Sequence, residues 1–104
     1  MLSPWQLRDA IFGVLIETYT DGGKTDWWSY NGVSLQKETT TAILAQVALA
    51  YMTDGERGEY ERRNLFNSIH NIIWTTFPGG TTAFGAAAKI APLLNIEVPD
   101  KKNY

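Results

Sequence analysis

Apolar and polar positions recur with a helical period over most of the chain, and the least interrupted run, Thr39 to Met52 (TTTAILAQVALAYM), sets the plan. Between Ala42 and Met52 only Gln46 is polar. A helix that is apolar on every side has to be surrounded by protein or lipid, and this run is shorter than the roughly 20 apolar residues that span a bilayer. It reads as the central helix of a small soluble domain. At about 100° per residue, Ile43, Leu44, Val47 and Tyr51 form a bulky stripe, and Ala45 and Ala48 a thin side where another helix can come close.

Ahead of it, residues 3 to 20 carry a full set of helix-start signals. Ser3 can cap, Pro4 suits the first helical position, Gln6 completes a capping box, and Leu2 and Leu7 stand at the two positions of a hydrophobic staple. Leu7, Ile11, Val14 and Thr18 make one apolar stripe, and Trp5, Phe12, Ile16 and Tyr19 a second on nearly the opposite side. Both stripes are expected inside the monomer. Asp21-Gly22-Gly23 ends the helix, because glycine tolerates the left-handed conformation of a helix stop.

Asn31-Gly32 is the strongest turn signal in the chain. Flanked by TDWWSY and VSLQK, it predicts a β-hairpin with a two-residue type I′ loop, in which Tyr30 faces Val33, Trp28 faces Leu35 and Trp27 faces Gln36. Tyr30, Val33, Trp28 and Leu35 would then share one apolar face, with Trp27 left among serines on the other.

After the central helix, Thr53-Asp54-Gly55 is a stop. A third helix follows from about Glu56 to Phe77, with Thr53 and Glu56 at capping-box spacing and Pro78-Gly79-Gly80 as its end. Leu65, Phe66, Ile69, Ile72, Ile73 and Phe77 are its buried side. The fourth helix starts at Thr81 or Thr82 and ends or kinks at Pro92, with Gly85, Ala86 and Ala88 set against the alanine side of the central helix. The pattern therefore predicts a mainly α (α+β) fold, a four-helix compact domain with one β-hairpin between helices 1 and 2. It forms one domain over residues 1–104, and residues 98–104 are a loose C-terminal tail.

Composition narrows the function. The chain has 104 residues and no cysteine, which removes thiolate chemistry, disulfide frameworks and cysteine-based metal sites. Nine basic and eleven acidic side chains are scattered in mixed sign, so no basic footprint for nucleic-acid phosphates or a membrane surface stands out. The first residues carry no basic and apolar secretion pattern, which makes the cytoplasm the expected location. Four Trp, five Tyr and four Phe are more than a core of this size hides, so some aromatic surface is expected to meet a partner.

Catalytic signals are sparse. His70 has Phe66, Asn67 and Trp74 at helical spacing rather than a carboxylate, and no metal-ligand spacing or carboxylate pair appears, so neither enzyme activity nor a cofactor is expected. The PGGTT stretch before helix 4 lacks the Gly-Lys-Ser/Thr ending of a phosphate loop. A helix-turn-helix DNA reader is the alternative class, since Arg57, Arg62, Arg63, Asn64 and Asn67 lie near the start of helix 3, although Glu56, Glu59 and Glu61 share those turns.

The candidate site is the outer face of helix 3. Tyr60, Arg63, Asn67, Asn71 and Trp74 fall in one stripe about 80° wide and roughly 21 Å long. Aromatics and arginine are the residue types that dominate binding hot spots. Together with Trp27 they predict a non-catalytic module that docks on a protein partner, as an inhibitor or an assembly subunit, with homo-oligomerisation open to it.

Overall fold

A computed structural model describes residues 2–19, 27–77 and 80–99, without the side chains of 27–34 and 80. Among the described residues five helices follow one another: α1 (Pro4–Tyr19), α2 (Trp27–Met52), α3 (Gly55–Arg63), α4 (Leu65–Thr76) and α5 (Gly80–Ile90), with a 3-10 turn at Ala91–Leu94. No strand occurs among the described residues. The expected β-hairpin and the four-helix count are both corrected.

The N-terminus of α1 forms as its residues demand. Ser3 N–H donates to Gln6 Oε1 at 3.0 Å and Gln6 N–H to Ser3 Oγ at 3.3 Å, the reciprocal bonds of a capping box. Ile11, Leu15 and Tyr19 are buried, whereas Trp5 is exposed and Phe12 and Ile16 are half-buried, so the second stripe is covered only towards its C-terminal end. Tyr19 stacks flat on Phe77, with ring centroids 4.2 Å apart.

From Trp27 onward the predicted hairpin is the first part of α2. Asn31 and Gly32 lie inside the helix, and the predicted pairs Tyr30–Val33, Trp28–Leu35 and Trp27–Gln36 lie on one continuous helical backbone; Asp26 falls outside the described residues. The reason is tertiary. Gln36, Thr39, Thr40, Ile43 and Ala50 are all buried, and at helical spacing they fall within an arc of about 100°, so a helix that runs back through Gln36, inside the predicted second strand, gives its neighbours α1, α3 and α4 one continuous surface. A lone two-stranded hairpin is marginal in water, and glycine in a helix costs only about 1 kcal/mol relative to alanine.

The threonine run does not interrupt this helix. Thr39, Thr40 and Thr41 each donate their hydroxyl to the carbonyl four residues back, at 2.7, 2.8 and 3.0 Å. Burial then leaves none of these protons unsatisfied. Gln36 Nε2 reaches across to the Leu15 carbonyl at 3.4 Å, and its Oε1 has no hydrogen-bond partner among the described residues.

The other departure from expectation is the long third helix, which divides at Asn64 into α3 and α4. Its first turn lies against the end of α2. A β-carbon at Gly58 would stand 1.9 Å from the Thr53 carbonyl oxygen, so only glycine lets the two backbones meet. Gly55 turns the chain between them at a φ of 71°. The Thr53–Glu56 capping box does not form; Asp54 holds the N-cap position without a side-chain bond.

Leu65, Phe66, Ile69 and Ile73 of α4, with Phe77, face the core as expected. Ala83, Ala86, Ala87 and Ile90 of α5 are buried too, but α5 packs mainly on α4 and α1 rather than on the alanines of α2. Pro92 converts its end to the 3-10 turn, which Asn95 closes in the left-handed conformation at φ 56°. Leu94 is buried there, with Leu93 and Ile96 packed partly against the core.

Candidate functional site

The five stripe residues sit on two helices rather than one, Tyr60 and Arg63 on α3 and Asn67, Asn71 and Trp74 on α4. Their alignment survives the break because helical hydrogen bonding crosses it. Asn64 N–H donates to the Tyr60 carbonyl at 3.0 Å, and Ser68 N–H donates to the Asn64 carbonyl at 3.0 Å, both in the four-residue pattern of an α-helix. Asn64 Nδ2 also donates to the Tyr60 carbonyl, at 2.8 Å, which holds the junction by side chain as well as backbone.

All five side chains are exposed, Tyr60 by 60% and Trp74 by 55%. An open depression of about 490 Å³ runs between the two aromatics, with Asn64, Asn67, Ser68 and Asn71 along it. Arg63 does not line it. It borders a neighbouring hollow of about 370 Å³ together with Phe66, Asn67, Ile96 and Pro99, so Asn67 is the residue common to both. The structure therefore divides the stripe into an aromatic and amide groove and an arginine edge.

Charge in the groove is low. Glu61 at its border accepts a bond from Gln46 Nε2 of α2 at 3.3 Å, which gives this half-buried amide a carboxylate partner across the helix pair. His70, also at the border, sets its ring edge-on to Phe84 with centroids 6.2 Å apart. Trp27 heads α2, and its side chain lies outside the described residues.

Two features escaped the reading of the sequence. Arg62, grouped there with the arginines of a DNA reader, donates from Nη1 to the Ala50 carbonyl at 2.9 Å and the Thr53 carbonyl at 3.4 Å. A cation at a helix C-terminus satisfies orphan carbonyls and complements the helix dipole. Its signal was the spacing of Arg62 from the α2 stop, readable only once α3 is known to fold back on α2. The second is an exposed apolar side of α2, where Ala42, Ala45, Ala48, Leu49 and Met52 face outward although so apolar a run predicts a helix enclosed all round.

Among the described residues no group of three His, Cys, Asp or Glu side chains is placed to hold a metal ion. No helix among them is long and apolar enough to cross a membrane. Comparisons with protein-family models, curated proteins and solved structures return no match.

Proposed function

We propose that this chain is a non-catalytic interaction module whose α3–α4 face docks on a protein partner and acts by occlusion or scaffolding. The observation that carries the reading is the exposure of Tyr60 and Trp74 at the two sides of one groove, with Asn67 and Asn71 between them. Large aromatics held in water on a rigid helix lose little conformational freedom on binding and bring much area to it. The helix-turn-helix alternative is weakened by Arg62, whose guanidinium is engaged by α2 carbonyls, and by Glu56, Glu59 and Glu61 beside the remaining arginines.

The test is site-specific photo-crosslinking from position 71 in an extract of the source cell, with and without nuclease. A crosslinked protein that resists nuclease is expected. It should disappear in Tyr60→Ala/Trp74→Ala and persist in Trp5→Ala, with the melting temperature of the double variant unchanged. A crosslink indifferent to the double variant, or a sequence-dependent DNA complex tighter than micromolar at near-physiological salt, overturns the proposal.

A further inference from the structure

Between α1 and α2 lies a hollow of about 420 Å³, bordered by Arg8, Asp9 and Phe12 on one side and by Lys37, Thr40 and Thr41 on the other. It shares no residue with the Tyr60–Trp74 groove. Gln36 reaches the Leu15 carbonyl at one end of the helix pair while Arg8 and Thr41 border the hollow towards the other, so the two helices run antiparallel. The same register sets Lys37 level with Val14, six residues from Arg8 or roughly 9 Å along the axis. The hollow is therefore a trough with a cation towards each end and Phe12 between them.

Both cations keep donors in reserve. The Arg8 guanidinium is held 4.5 Å from the ring centroid of Trp5, itself 68% exposed. It gives one N–H to Asp9 at 3.3 Å, longer than the roughly 2.7–2.9 Å of a strong charge-assisted bond, and the rest of its fork has no partner among the described residues. Lys37 has neither an ion pair nor a side-chain hydrogen bond among them. Thr40 and Thr41 already donate their hydroxyls to the Gln36 and Lys37 carbonyls, so the donors left in the trough are the two cations. Glu38 stands about 100° round α2 from Lys37 and does not border the trough.

We infer that this trough takes an amphipathic acidic helix of a protein partner, with one carboxylate on Arg8, one on Lys37 and an apolar side chain on Phe12 between them. Three side chains at successive steps of three and four residues share one face of a helix and span roughly 10 Å, which matches the spacing of the cations. A helix laid along the seam of two others also sets its ridge in their groove. At the Arg8 end the partner meets a tryptophan and an arginine, residue types that dominate binding hot spots. Asp9 at the rim repels the continuous phosphates of a nucleic acid or an anionic bilayer, whereas two separate carboxylates leave it in water. The chain then carries two docking faces, which favours scaffolding over occlusion.

The probe is an alanine-rich helical peptide that carries Glu, Leu and Glu at those steps, titrated into the full chain. Amide chemical shifts should move at residues 5–12 and 37–41 and stay in place at Asn67, Asn71 and Trp74. Added salt should weaken the complex, because both end contacts are ionic. Arg8→Glu/Lys37→Glu should bind the peptide at least about tenfold more weakly and gain affinity for the counterpart in which both Glu are Lys. That gain needs a folded trough, so unfolding cannot imitate it. No movement at the trough, failure of the charge reversal to exchange the two peptides, or tighter binding of a DNA duplex or of phosphatidylserine vesicles than of the acidic peptide overturns the inference.

Discussion

Helices α2 and α4 lie against each other in the same core and obey opposite rules of placement. In α4 the apolar residues Leu65, Phe66, Ile69 and Ile73 face inward and Asn67 and Asn71 face water, where their transfer free energies put them, with exposed Trp74 the exception. In α2 the buried side carries Gln36, Thr39 and Thr40, and the exposed side carries Ala45, Ala48, Leu49 and Met52. Hydropathy is thus a sufficient guide to one helix and misleading for the other. What reconciles α2 with physics is hydrogen bonding on one side, where the threonines satisfy themselves on the helix backbone. The other side keeps Ala45, Ala48, Leu49 and Met52 in water.

The largest effect expected from this contrast lies in α4. Ile69→Ala removes a fully buried side chain and should cost roughly 2–5 kcal/mol in chemical denaturation, because lost transfer energy and a residual cavity add. A loss under about 1 kcal/mol would mean that α4 is not core.

Next comes the seam where α1 ends. Burial pushes the Tyr19 phenol up to about 12 from its ordinary value of 10.0. Below that ordinary value the phenol is neutral in both folded and unfolded chains. Between it and the folded value only the unfolded chain ionises, so stability falls as pH rises through this window. Urea midpoints measured across it should decline more steeply in the parent than in Tyr19→Phe, and parallel profiles would show that the phenol is solvated.

On the polar side of α2, Gln36→Leu should raise stability by about 1 kcal/mol, since it removes a buried oxygen that lacks a partner among the described residues. A marked loss instead would reveal that the amide is fully satisfied in the folded protein. The smallest effect tests α2 against the hairpin it replaced. Gly32→Ala should stabilise the domain by about 0.5–1 kcal/mol with no loss of far-ultraviolet helicity, because alanine favours helix. In a type I′ turn the same change would destabilise, since Gly32 would need a positive φ.

What could be read from the residues alone was whatever depends on near neighbours. The start of α1 at Ser3, Pro4 and Gln6 is one case, because a capping box closes within four residues. The apolar side of α4 and the outward set of Tyr60, Arg63, Asn67, Asn71 and Trp74 are another, because helical period fixes which side chains share a face. The end of α5 at Pro92 is a third. Only the tertiary structure decided the rest. It overrode Asn31-Gly32, a turn signal of local worth, with a helix whose buried side runs over 15 residues from Gln36 to Ala50 and serves α1, α3 and α4. It broke the long third helix at Asn64 and gave Arg62 to the α2 carbonyls, contacts made between residues 9 and 12 positions apart. It also left one side of the most apolar run in water. Periodicity states which residues lie together on a helix, but what covers that side depends on how many neighbours the rest of the chain supplies, and that is settled only when the helices pack.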